Sequence, residues 1–174
     1  MKSLILVRDE VSAAIDAIDP TRIEAAAAAF ADRDKRWFTS GQGRSRLVAS
    51  MTAMRLMHIG FEVHVVGETT APSICSGDYL LMLSASGETP VSLHLARRAA
   101  EAGATILAIT TSDDSSLAAL ATIVVPIPVP DTRQFGGSLF EQSALILLDA
   151  VILDLTSGDP HAYEEMQHRH TNLE

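Results

Sequence analysis

The apolar run Leu80-Leu81-Met82-Leu83 stops abruptly at Ser84-Ala85-Ser86-Gly87-Glu88-Thr89, and a helical pattern starts at once over residues 90–102. This is a strand, a tight hydroxyl-rich loop and a helix N-terminus. The first turn of a helix carries N–H groups without intrahelical partners and the positive end of the macrodipole, which suits an anion. Ser84, Ser86 and Thr89 add hydroxyl groups, and Gly87 lets the backbone approach a ligand closely. Phosphate is the natural guest. The same residues also read as an ordinary turn, with Thr89 as N-cap and Pro90 in the first helical position. The rest of the chain has to choose between the two.

A second segment of the same kind lies upstream. Trp37-Phe38-Thr39-Ser40 reads as a short strand, Gly41-Gln42-Gly43-Arg44-Ser45 as a glycine loop, and residues 46–59 as a helix. Further strands are expected over residues 61–66, 105–109 and 123–127, with a short helix over 117–121 and a long one over 139–156. Strands alternating with helices imply an α/β fold, a parallel sheet covered on both faces and joined by right-handed crossovers. In such a sheet ligands bind beyond the C-terminal ends of the strands, so the Gly41 and Ser84 loops should open on the same edge. Ahead of the first strand, apolar residues spaced by three and four over 4–18 predict an amphipathic helix. Asp19-Pro20 ends it and starts a second, alanine-rich helix through residue 31. These two helices are expected to cover a sheet face and to supply a subunit contact.

Composition narrows the partners. With 174 residues, 47% of them hydrophobic, the chain can bury one proper core. We therefore expect a single domain over 1–174: N-terminal helices in 1–34, sheet and helices in 35–156, and a polar C-terminal tail in 157–174. The formal net charge is -9 and the basic residues are scattered, which argues against a nucleic-acid partner. The apolar patch after Met1 is too short for a signal peptide or a membrane span, so no membrane partner and a cytoplasmic location are expected. The lone Cys75 fits a reducing compartment.

Several sites can be weighed from residue type alone. Gly41-x-Gly43 falls short of a dinucleotide fingerprint, because Arg46 holds the third glycine position and no acidic residue closes the second strand. Ser84 and Ser86 lack the setting of a nucleophile elbow. Arg44 suits a phosphate or a sugar hydroxyl, or a surface ion pair. Glu141, in the first turn of the last long helix after Gly136-Gly137, is either a dipole carboxylate or a general base brought to the cleft. His58 falls at the far end of the helix that starts at the Gly41 loop, and so could serve only a neighbouring subunit's cleft, if it is not a packed histidine. His168 and His170 have no third ligand nearby, and no metal is expected.

With these residues in view, the chain resembles the sugar isomerase (SIS) domain family, and is similar within it to the 6-phospho-3-hexuloisomerases. The Ser84-Ala85-Ser86-Gly87-Glu88-Thr89 loop marks the wider family. The segment Ala53-Met54-Arg55-Leu56-Met57-His58-Ile59-Gly60-Phe61 and the closing Arg169-His170-Thr171-Asn172-Leu173-Glu174 narrow it, together with Gly41-Gln42-Gly43-Arg44-Ser45, Val65-Val66-Gly67-Glu68-Thr69-Thr70 and Ser138-Leu139-Phe140-Glu141-Gln142. The resemblance implies a three-layer α/β/α, flavodoxin-like fold with a five-stranded parallel sheet. It implies a homotetramer built as a dimer of dimers, and interconversion of D-arabino-3-hexulose 6-phosphate with fructose 6-phosphate in the ribulose monophosphate route, without a cofactor. It implies substrate binding by Gly41, Gly43, Arg44, Ser45, Ser84, Ser86, Gly87, Glu88 and Thr89, and catalysis by Glu141 with His58 from a neighbouring subunit. Two related readings compete. Sensor members of the family usually carry a helix-turn-helix ahead of this domain, for which the stretch before Trp37 is short. Arabinose 5-phosphate isomerases commonly carry further C-terminal domains.

Overall fold

The computed structural model describes residues 1–173. Two helices, α1 (Lys2–Asp16) and α2 (Pro20–Phe30), precede β1 (Trp37–Gly41) and α3 (Arg44–His58). The chain continues through β2 (Val63–Val65), β3 (Tyr79–Leu83), α4 (Pro90–Glu101), β4 (Thr105–Thr110), α5 (Ser116–Leu120), β5 (Ile123–Pro126), α6 (Ser138–Thr156) and α7 (Ala162–Arg169). All strand pairs are parallel, in the order β2-β1-β3-β4-β5. The five-stranded parallel sheet with helices on both faces is as expected.

The strands are buried on both faces, and the period of two sorts their side chains between two cores. Trp37, Leu81, Leu83, Leu107 and Ile109 face one layer, where they meet Phe30 of α2, Val48, Ala49 and Leu56 of α3, and Phe140, Ala144 and Leu148 of α6. Phe38, Leu80, Met82, Ile106 and Ala108 face the other, against Leu93, Ala96 and Ala99 of α4 and Leu117 of α5. Trp37 is fully buried between Phe30, at 4.0 Å between ring centroids, and Tyr79, at 4.7 Å. The alanines of α2 let it settle on β5, with Ala26 and Ala29 buried. α1 lies chiefly on α6, so it covers the helix layer. Its Glu10 accepts from the Thr132 hydroxyl at 2.6 Å and from the Arg133 N–H at 3.2 Å, which ties down the irregular stretch after β5 and lowers the Glu10 pKa.

Two local differences have physical reasons. β2 is shorter than its apolar run, because it is an edge strand paired only with β1, while Phe61 turns into the core ahead of it. The C-terminal segment is more than a tail, since residues 162–169 form α7. Glu164 and Glu165 in its first turn and His168 and Arg169 in its last complement the helix dipole. The Arg169 guanidinium donates to the His58 carbonyl at 3.1 Å and fills the space over Gly60, which pins α7 to the end of α3. Glu174, the last residue of the closing motif, lies outside the described residues.

Candidate functional site

β1 and β3 lie side by side, with Gly41 opposite Leu83. From β1 the chain crosses to β2 on one side, and from β3 it crosses to β4 on the other. That reversal opens a crevice at the C-terminal ends of the two strands, where parallel α/β sheets bind ligands. The loop from Gly41 to Ser45 and the loop from Ser84 to Thr89 both rise from this point.

The first loop is tight. A Cβ on Gly41 would fall 2.7 Å from the Ser45 carbonyl carbon, so α3 starts directly over the strand end. Gly43 caps α3 with φ of 56° and offers no side-chain acceptor. Ser45 is buried and Arg44 is exposed.

The second loop is braced from below by the segment between β4 and α5. The Ala85 carbonyl accepts from the Thr111 N–H at 3.0 Å and from the Thr110 and Thr111 hydroxyls at 3.2 and 2.8 Å. The Gly87 carbonyl accepts from the Leu117 N–H at 3.0 Å. Glu88 Oε1 accepts from the Ser116 N–H at 2.7 Å, and that bond holds the Glu88 carboxyl below its ordinary pKa. Ser86 Oγ accepts from the Glu88 N–H at 3.1 Å. Thr89 is the N-cap of α4, but its hydroxyl makes no capping bond and lies 3.4 Å from Ser84 Oγ.

α6 reaches the same crevice from the opposite helix layer. Arg44 Nε donates to Glu141 Oε2, an ion pair that joins the first turns of α3 and α6. The Glu141 side chain is 12% exposed and that of Arg44 63%, so the carboxylate is sheltered and its partner is not. The two loops and Glu141 thus share one sheet edge.

His58 does not join them. The 15 residues of α3 put it roughly 20 Å from the Gly41 loop. It is 3% exposed, stacks on His170 at 5.4 Å between centroids, and its Nδ1 has no partner. Burial first, then Arg55 and His170, push its pKa below the ordinary 6.5. A groove of about 450 Å³ runs beside it, lined among others by Arg55, Asp149, Leu153, Tyr163 and Met166. This groove lies at the far end of α3 from the two loops.

The residues that sequence reasoning missed are Thr110, Thr111, Ser115 and Ser116. They read as a polar loop without a role. The available signal was a hydroxyl-rich stretch at the C-terminal end of the strand next to β3. Among the described residues no group of three or more His, Cys, Asp or Glu side chains is placed to hold a metal, and no helix is long and apolar enough to cross a membrane.

Known proteins share this fold. A family profile described as the SIS domain matches residues 30–153. The 3-hexulose-6-phosphate isomerase of Mycobacterium gastri is 44% identical over 180 aligned positions, covering 99% of this chain and 90% of the relative. The enzyme of that name from Bacillus subtilis is 40% identical over 79% of each chain. A solved structure from Methanococcus jannaschii, for which the function of 3-hexulose-6-phosphate isomerase was inferred, superposes with a TM-score of 0.88 at 29% identity and covers 100% of both chains.

Proposed function

The chain belongs to the SIS domain family, and we propose that it is a sugar-phosphate isomerase interconverting D-arabino-3-hexulose 6-phosphate and fructose 6-phosphate. The observation that carries the site assignment is the Arg44–Glu141 pair, which brings a sheltered carboxylate to the edge where the hydroxyl loop opens. In this reading Ser84, Ser86 and Thr89, with the backbone at Gly87, hold the phosphate at the N-terminus of α4. Gly41, Gly43 and Ser45 shape the other wall, and Arg44 lies within reach of the sugar oxygens. The phosphate is remote from the reacting carbons and supplies the binding energy that positions them.

The chemistry needs no cofactor. Moving the ketone from C3 to C2 removes the C2 proton, passes through a cis-enediol, and returns a proton to C3. One carboxylate can carry that proton, and Glu141 is assigned to it. A second group must move the hydroxyl proton between O3 and O2. His58 from a neighbouring copy is assigned to this step, since an imidazole kept neutral near pH 7 can both give and accept a proton. This assignment needs an oligomer: the exposed apolar side chains Leu47, Met51 and Met54 on α3 and Ile146 and Leu153 on α6 favour self-association, and the family resemblance makes it a homotetramer. The whole chain then acts as one SIS domain in the ribulose monophosphate route of formaldehyde fixation. The unpaired Cys75 is consistent with a cytoplasmic setting.

A coupled assay tests the reading. Formaldehyde, ribulose 5-phosphate and a separate hexulose-phosphate synthase supply the substrate, and fructose 6-phosphate is read out. Glu141→Gln should fold normally and lose about a hundred- to ten-thousandfold in kcat. A wild type that binds fructose 6-phosphate without turnover would instead make the chain a sensor. An active Glu141→Gln would remove the base assignment.

A further inference from the structure

We propose that Glu88 is a positioning residue that holds the anion loop in its binding shape, and that it neither touches the substrate nor transfers a proton. The inference rests on the reading of the Ser84 loop as the phosphate site. A carboxylate in the middle of such a loop is electrostatically out of place, because it stands between Ser86 and Thr89 where a phosphate would sit. Its surroundings explain it. α5 begins directly under the loop, and each of its first three N–H groups has a defined acceptor. The Ser116 N–H goes to Glu88 Oε1 at 2.7 Å, the Leu117 N–H to the Gly87 carbonyl at 3.0 Å, and the Ala118 N–H to Ser115 Oγ at 3.2 Å.

Two of the three donors of that turn are therefore spent on the loop, one of them through the Glu88 side chain. The positive end of α5 offsets the carboxylate charge that would otherwise face the phosphate. The Glu88 N–H in turn donates to Ser86 Oγ at 3.1 Å, so the orientation set at Ser116 is passed to one of the hydroxyls assigned to the ligand. The lowered pKa of Glu88 has the same cause, the bond from Ser116. A general base would need its carboxylate free to meet a carbon-bound proton, and this one is committed to the backbone of α5.

The test uses the full chain as wild type, Glu88→Ala and Glu88→Gln. Glutamine separates the roles, because its amide oxygen still accepts the Ser116 N–H but cannot carry a proton as a base. Calorimetric titration with inorganic phosphate reads the loop, and the coupled assay reads KM and kcat. Glu88→Ala should weaken phosphate binding and raise KM about tenfold, the scale of one lost charge-assisted hydrogen bond, with kcat within about threefold of wild type. Glu88→Gln should bring phosphate binding and KM back to wild type or tighter. Wild-type binding in Glu88→Ala, a loss that Glu88→Gln does not restore, or a collapse of kcat in Glu88→Gln would each overturn the inference. A wild type that does not bind phosphate would overturn it as well. Phosphate binding that follows the expected pattern in a chain without turnover would leave the inference standing and refute the isomerase reading alone.

Discussion

Replacing Gly87 with alanine tests whether the loop and the β4–α5 segment are built as one piece. Gly87 has φ of 63°, and a Cβ there would lie 2.3 Å from Ser115 Oγ, 2.4 Å from Ser115 Cβ and 3.1 Å from Thr110 Oγ1. An L residue in that left-handed conformation costs about 1–2 kcal/mol. Contacts this short force Ser115 to move, and overpacking of that kind costs about 1–3 kcal/mol. The total is about 2–5 kcal/mol, which for a chain of this size lowers Tm by about 4–20 °C. Ser115 is also the N-cap of α5, so its displacement breaks the bond to the Ala118 N–H and disturbs the turn that holds Glu88. Gly158→Ala is the control: it follows α6 in a turn away from the crevice, φ is 84°, and nothing lies within 4 Å of its Cβ position, so only the conformational cost of about 1–2 kcal/mol applies. Thermal unfolding of the two variants, with titration of inorganic phosphate, separates the cases. If Gly87→Ala melts at or above Gly158→Ala and binds phosphate like the wild type, the loop is not clamped as described.

Two further outcomes follow from groups outside the loop. Because the folded chain holds the His58 pKa below its ordinary 6.5, the unfolded chain takes up that proton first. The stability contributed is complete above about pH 6.5, falls as pH drops through that value towards the depressed folded one, and is constant below it. A plot of Tm against pH from about 7.5 to about 5 should be steeper for the wild type than for His58→Leu, and equal slopes would refute the burial argument. At the start of the sheet, Asp78 accepts from the Arg36 guanidinium and from the Cys75 N–H, both at 2.7 Å. Asp78→Ala leaves the Cys75 N–H without its acceptor and the Arg36 guanidinium with the Ser73 carbonyl alone, at 3.2 Å, and should cost about 2–3 kcal/mol. A thermal melt should show a fall of about 5–10 °C, and a shift under about 2 °C would mean that water replaces the carboxylate.

Most of the architecture was legible because the central strands are unbroken apolar runs ended by glycine, serine or threonine. Leu80 to Leu83 reads as a buried strand whatever surrounds it, and the helix after Thr89-Pro90 declares its own start. α7 was not legible for the opposite reason. Its apolar face is little more than Tyr163 and Met166, and what holds it is a tertiary bond from Arg169 to the carbonyl of His58, which no local pattern records. The site divides in the same way. The hydroxyls of the Ser84 loop stand next to each other in the chain, whereas Arg44 and Glu141 are 97 residues apart and meet only because α3 and α6 start at one edge. The brace under the loop was hidden for a third reason: Thr110, Thr111 and Ser116 have the composition of any polar turn, and only the register of β4 against β3 puts them beneath Ala85 and Glu88.

The capping pattern carries the site argument one step further. α2 and α5 have side-chain caps, from Asp19 to the Thr21 N–H and from Ser115 to the Ala118 N–H. α1 and α7 lack side-chain caps, and neither forms part of the crevice. The three helices whose N-termini meet at the crevice, α3, α4 and α6, begin at Gly43, Thr89 and Gly137, and none of these supplies a side-chain acceptor to the first turn. A helix start ordinarily gains about 1 kcal/mol from a serine, threonine, aspartate or asparagine cap. Forgoing that gain at three neighbouring helices directs three positive dipole ends into one space. Such a space favours a doubly charged phosphate. It also favours the negative charge that an enediol oxygen gains as the proton leaves carbon, so in the proposed reading the same uncapped turns serve both binding and the transition state. α5 is the exception that completes the arrangement, since its first turn is already occupied in holding the loop in place.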